Sequence, residues 1–140
     1  SLKFDNTQWL GGQILMDPRG GEHDSHRIGI AGPPIETKWG WLVLYHGIAR
    51  GPTRHYHLRA ALLDRRNPAK ILVRTRDAIL EPEMAYEKEG LVPDVVFSNG
   101  AVVVKNRLIV YYGGADKVLC AASAPMDEFM KRLLDEKKIS

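Results

Sequence analysis

Gly-Pro-Pro-Ile-Glu-Thr-Lys-Trp-Gly-Trp-Leu-Val-Leu-Tyr-His-Gly, residues 32–47, is the stretch that decides the fold class. Thr37, Lys38 and Gly40 supply turn material, and residues 41–45 then run apolar, aromatic and β-branched, a composition that suits a pleated sheet. The pattern predicts a β-hairpin. Tyr45 and His46 close its second strand just before Gly47, which puts a titratable imidazole where sheet gives way to loop, a common place for functional groups.

Outward from the hairpin, the chain reads as more strand. Residues 11–16 suggest a short strand stopped by Asp17 and Pro18, and residues 19–27 form a polar, glycine-rich loop carrying His23, Asp24, Ser25, His26 and Arg27. A solvated loop accounts for His23; His26 and Arg27 are candidates to face a ligand. Residues 56–64 and 71–75 give a third and a fourth strand across the turn at 65–68, so the first half is an antiparallel meander. A long connection follows, with a helical turn around 83–87. A second set of strands spans 94–97, 101–105, 108–112 and 117–122, with turns at 98–100 and 106–107. Both sets contain a strand ending in Tyr and Gly, followed by one of small and apolar residues. Two four-stranded units at such a period suggest radial repetition, as in propeller blades. Residues 125–138 close the chain as a docking helix, with Phe129, Met130, Leu133 and Leu134 on one face, acids early and Lys137 and Lys138 late.

Composition sets the outer limits. At 140 residues, 44% hydrophobic and 26% charged, the chain is material for one domain, 1–140. Twenty basic against 17 acidic residues leave +3 and a pI near 9.1, which permits an anionic ligand. The cations are scattered rather than gathered in a stripe, so nucleic acid is not an expected partner. No apolar run approaches the roughly 20 residues of a membrane-spanning helix, and membrane is not an expected partner either. A first residue other than Met suggests processing, truncation or a removed tag. The single Cys120 allows no internal disulfide and fits a reducing, cytoplasmic compartment; in its strand it reads as a small buried hydrophobe. His55 and His57, two apart, share one side of a strand but lack a third ligand, and no metal is expected. Arg50, Arg54 and His55 form a basic loop. Trp39 and Trp41 face one way if the strand is regular, as sugar platforms or, for Trp41, as core.

Seven motifs in consistent order resemble glycoside hydrolase family 130, the β-mannoside phosphorylases and related mannosidases. They are Asp24-Ser-His-Arg-Ile-Gly29, Gly32-Pro-Pro-Ile-Glu-Thr37, Gly40-Trp-Leu-Val-Leu-Tyr-His-Gly47, Ala60-Ala-Leu-Leu-Asp64, Ile79-Leu-Glu-Pro82, Val95-Val-Phe-Ser-Asn-Gly100 and Tyr111-Tyr-Gly-Gly-Ala-Asp116. The resemblance, from about residue 9 to about residue 125, implies an all-β fold: the C-terminal half of a five-bladed β-propeller, about two blades, with a C-terminal helix. Its catalytic aspartate belongs to the other half, so no catalytic acid is assigned here and the fragment alone is expected to be inactive. In the family, inorganic phosphate as co-substrate attacks the anomeric carbon from the face opposite the leaving sugar, while the aspartate protonates the glycosidic oxygen.

The implied ligand is a mannose-containing oligosaccharide, with no cofactor besides phosphate. On the motif match, His46 with Lys38 serves the anion side and Asp116 with Tyr112 the mannose-like ring, with Arg27 as a further binding candidate. Glu36 stands where the phosphorylases carry a lysine; a carboxylate repels phosphate, which moves the reading toward hydrolysis with Glu36 activating water, unless Lys38 restores the charge. Asp94 replaces a family Asn. A half-propeller leaves an apolar flank, so self-association or the missing N-terminal half is expected to cover it. The competing reading is a non-catalytic sugar-binding or assembly module.

Overall fold

The computed structural model describes residues 11–20, 24–48 and 55–136. Strands β1 (Arg27–Ile30) and β2 (Ile35–Thr37) both pair antiparallel with the long β3 (Gly40–Ile48), which pairs in turn with β4 (His57–Leu63), and β4 with β5 (Ile71–Arg74). After the short helix α1 (Ala85–Lys88), strands β6 (Val96–Val104), β7 (Arg107–Gly114) and β8 (Val118–Pro125) make a separate three-stranded antiparallel sheet, and helix α2 (Met126–Glu136) ends the described chain. The molecule is therefore mostly β, with a helix at its C-terminal end, and neither sheet closes on itself among the described residues.

The hairpin forms where expected, between β2 and β3, for identifiable local reasons. Thr37 Oγ1 accepts the N–H groups of Trp39 and Gly40, both at 3.2 Å, and donates to the Gly40 carbonyl at 2.7 Å, so one side chain holds the turn. Gly40 has φ of 145°, and a Cβ there would collide with the Leu63 carbonyl oxygen. Strand β3 is covered on both faces, which is why it reads as a nearly unbroken apolar run rather than an alternation. Leu42 and Leu44 point with Leu58, Ala60, Leu62 and Val73 toward Leu108 and Val110 of the second sheet and Met126, Met130 and Leu133 of α2. That shared core fastens the two sheets and the helix together.

Several local expectations change. Residues 11–16 form no strand; Ile14, Leu15 and Met16 instead line a groove with Ile28, Ile30, Val43 and Tyr45. The Ser-Asn-Gly turn at 98–100 is an irregularity inside one continuous strand, β6, because Ser98 Oγ donates to the carbonyls of Gly100 (3.3 Å) and Tyr111 (2.9 Å) and keeps the pairing to β7 across the extra residue. This merges two expected strands, so the second unit has three strands, not four. The β6–β7 reversal uses Lys105 and Asn106, both with positive φ, as a tight hairpin requires. Among the described residues no helix is long and apolar enough to cross a membrane.

Candidate functional site

His46 sits near the end of β3 with 4% of its surface exposed, where the first sheet meets the second. Its Nε2 accepts the backbone N–H of Ser98 at 2.9 Å, and its ring stacks on Phe97 with centroids 4.1 Å apart and planes 11° from parallel. Tyr56 adds an edge contact at 6.5 Å. Burial pushes the imidazole down to about 4, so at neutral pH His46 is uncharged.

Three other expected site residues lie on strands or turns that adjoin the His46 contact in one sheet or the other. Arg27 is exposed at the start of β1, whose Gly29 lies opposite His46. Tyr112 lies opposite Ser98 in β7, and Asp116 is exposed in the β7–β8 turn with φ of 54°. Tyr112, however, has its hydroxyl engaged within the protein: it donates to Glu87 Oε1 at 2.6 Å in a buried pair. Burial and the facing carboxylate raise the phenol well above its usual value. Glu87 Oε2 accepts the N–H groups of Glu83 and Met84, both at 2.8 Å; these bonds and the Tyr112 hydroxyl outweigh burial and hold its carboxyl below the usual range. The pair therefore secures α1 against β7.

Glu36 and Lys38 lie elsewhere. Glu36 pairs with Trp41 across the hairpin, five residues up β3 from His46, on the order of 16 Å at the rise of a strand. It is exposed and ion-paired with Arg65 at 3.1 Å. Lys38 occupies the hairpin turn, 3.6 Å from Asp127 of α2 and over the Trp39 ring at 4.2 Å. The expected grouping of His46 with Lys38 and Glu36 is corrected accordingly: a shared turn motif does not make its residues neighbours of the strand's far end.

A polar cluster that sequence reasoning missed fills the opposite face of the first sheet. Asp24 is fully buried; Arg19 donates to both of its oxygens at 3.2 and 3.0 Å, and Arg74 Nη2 and the Tyr45 hydroxyl donate to Oδ2 at 2.8 and 3.1 Å. Burial works against ionisation, but the bond from Arg19 and the charges of Arg19, Arg59 and Arg74 prevail and hold the carboxyl below its usual value. Arg59, also fully buried, donates from Nε to His57 Nε2 at 3.1 Å and from Nη1 to the carbonyls of Thr75 and Arg76. His57 is thus engaged, while His55 lies 3.9 Å from Asp94, so the two histidines share no ligand position. The register that pairs Tyr45 with Arg59 was the available signal, since residues two apart share a face. Trp39 packs on the core and Trp41 Nε1 donates to the Arg65 carbonyl at 3.3 Å. Arg50, Arg54, His23, Lys137 and Lys138 lie outside the described residues.

Comparison with known proteins follows the same motifs. Residues 5–135 match the family description of a beta-1,4-mannooligosaccharide phosphorylase, glycoside hydrolase family 130. The chain belongs to this family. A 1,2-beta-oligomannan phosphorylase of Thermoanaerobacter sp. (strain X514) is 43% identical to it over 124 residues, 89% of this chain and 41% of that protein. The solved beta-1,2-mannobiose phosphorylase of Listeria innocua, in complex with beta-1,2-mannobiose, superposes with a TM-score of 0.81 at 42% identity, covering 87% of this chain and 34% of that one. A further family 130 structure comes from work reporting that the family contains glycoside hydrolases that target beta-1,2 mannosidic linkages in Candida mannan; it is 28% identical, with a TM-score of 0.75, over 82% of this chain and 34% of that one. The chain thus spans about two fifths or less of the length of these relatives.

Proposed function

We propose that this family 130 chain is part of a cytoplasmic enzyme that cleaves β-mannosides by phosphorolysis, its two sheets being consecutive blades of a five-bladed propeller. The observation that supports the reading is the burial of His46 at the end of β3 against Phe97 and Ser98 of the second sheet, with Arg27 beginning the strand beside it, within a chain that matches the family from residue 5 to residue 135. His46 and Arg27 serve the phosphate: the guanidinium supplies the charge and the neutral imidazole a hydrogen bond. Asp116 serves a mannose hydroxyl as acceptor. Glu36 was the ground for preferring hydrolysis; its exposed pairing with Arg65 weighs against that role, and the relatives named as phosphorylases favour the transfer to phosphate.

No catalytic acid is assigned in these 140 residues. General acid help contributes typically about 10² to 10⁴ in rate, so the chain by itself is expected to turn over no β-mannoside, and the remainder of the propeller, or a second copy, to complete the pocket. The test is titration of the purified chain with inorganic phosphate and with beta-1,2-mannobiose, following the His46 ring signals and assaying mannose 1-phosphate. Shifts at His46 without turnover are the expected result. Turnover by the chain alone overturns the division of the site, and a His46 that responds to neither ligand overturns its placement at the pocket.

A further inference from the structure

His46 Nε2 is an acceptor, because the group facing it at 2.9 Å is the backbone N–H of Ser98. In a neutral imidazole one nitrogen accepts and the other donates, so the proton resides on Nδ1. No hydrogen bond joins that Nδ1 to a protein acceptor among the described residues, and it is not a sealed-off atom, since the one wholly buried, unpartnered side-chain nitrogen or oxygen among them is Arg59 Nη2. A donor with no protein partner that is not sealed off is open to a water or a ligand. The ring cannot turn over freely, which would set a carbon in place of Nε2 before the Ser98 N–H: Phe97, the neighbour of Ser98, is stacked on it almost parallel, and Tyr56 closes one edge while contacting Phe97 at 5.7 Å. Ser98 itself is held through its hydroxyl on the Tyr111 carbonyl, at the irregular step of β6. Two consecutive residues of the Val-Val-Phe-Ser-Asn-Gly motif therefore grip one histidine of the other sheet from two directions.

We propose that Phe97 and the Ser98 backbone are positioning residues that lock His46 in the Nδ1–H tautomer, so that it meets a phosphate oxygen as a fixed neutral donor. The inference rests on the reading of His46 as a phosphate-facing group and adds how that group is prepared. A hydrogen bond to Nε2 takes away the lone pair that would otherwise let the imidazole act as a base there. Specificity for an oxygen acceptor follows, since a fixed N–H discriminates against a second donor in its place.

The test uses the purified chain labelled with ¹⁵N-histidine, in the absence of any ligand, with long-range ¹H–¹⁵N correlation at neutral pH. His46 is identified among the five histidines by the loss of its signals in His46→Gln. The expected result is a protonated-type Nδ1 and an unprotonated-type Nε2 with no averaging. Phe97→Leu should shift the tautomer ratio toward the other form by about two- to tenfold, the equilibrium worth of an aromatic pair, and Phe97→Tyr should restore it. A protonated Nε2 or averaged nitrogens in the unaltered chain overturn the lock; a ratio unchanged in folded Phe97→Leu overturns the role of Phe97. Because no ligand is present, these outcomes are independent of the phosphate titration, which tests the function of the site.

Discussion

Acidification should strip stability from this protein through His46 before it reaches the carboxylates. The unfolded imidazole titrates near 6.5 and the folded one at about 4, so between those values the unfolded chain binds more protons than the folded one. Stability conferred by the neutral, buried ring is fully present above pH 6.5 and is lost as the pH falls toward 4. The separation of the two values corresponds to about 3 kcal/mol, or a fall of roughly 10 °C in Tm for a domain of this size. Urea unfolding followed by tryptophan fluorescence at steps from pH 7.5 to pH 4, on the unaltered chain and on His46→Leu, measures it. At neutral pH the variant should be less stable by about 1–3 kcal/mol, because the Ser98 N–H is left buried without an acceptor. Its curve should then be the flatter one, so that the difference shrinks as the pH falls. The depressed Asp24 and Glu87 carboxylates act in both proteins and cancel in that difference. Parallel curves between pH 6.5 and 4 would refute the argument, since they would mean that His46 takes up its proton as easily folded as unfolded.

Three further outcomes are expected. Asp24→Ala leaves the guanidinium groups of Arg19, Arg59 and Arg74 around a buried void of charge and should cost about 3–5 kcal/mol in denaturant unfolding; a loss below about 1 kcal/mol would show that the cluster is solvated. Tyr112→Phe should cost about 1.5–3 kcal/mol through the lost bond to Glu87 and leave the affinity for mannobiose in the ligand titration untouched, and a weakened affinity with unchanged stability would return Tyr112 to the sugar site. Glu36→Lys should change stability by less than about 1 kcal/mol and leave phosphate binding unaltered, since only an exposed pair with Arg65 is lost; tighter phosphate binding would place Glu36 at the pocket after all.

Local chemistry made much of this protein legible in advance. The hairpin at 32–47 follows from a turn that Thr37 and Gly40 can close and from an apolar strand that has to be covered, and α2 follows from one stripe spaced at 3.6 residues. The seven motifs carried the family. What the chain order could not tell was which residues end up on the same side of the molecule. Lys38 and His46 are eight positions apart in one motif-rich stretch, yet an extended strand spends those positions as length and separates them. Ser98, more than fifty residues from His46, is its hydrogen-bonding partner because a second sheet packs across the end of the first. Asp24 looked like loop polarity, and only folding brings Arg19, Tyr45 and Arg74 onto its two oxygens. Periodicity and turn chemistry act over a few residues and are written locally; partners for buried polar groups are chosen by packing between sheets, and that choice exists only in three dimensions.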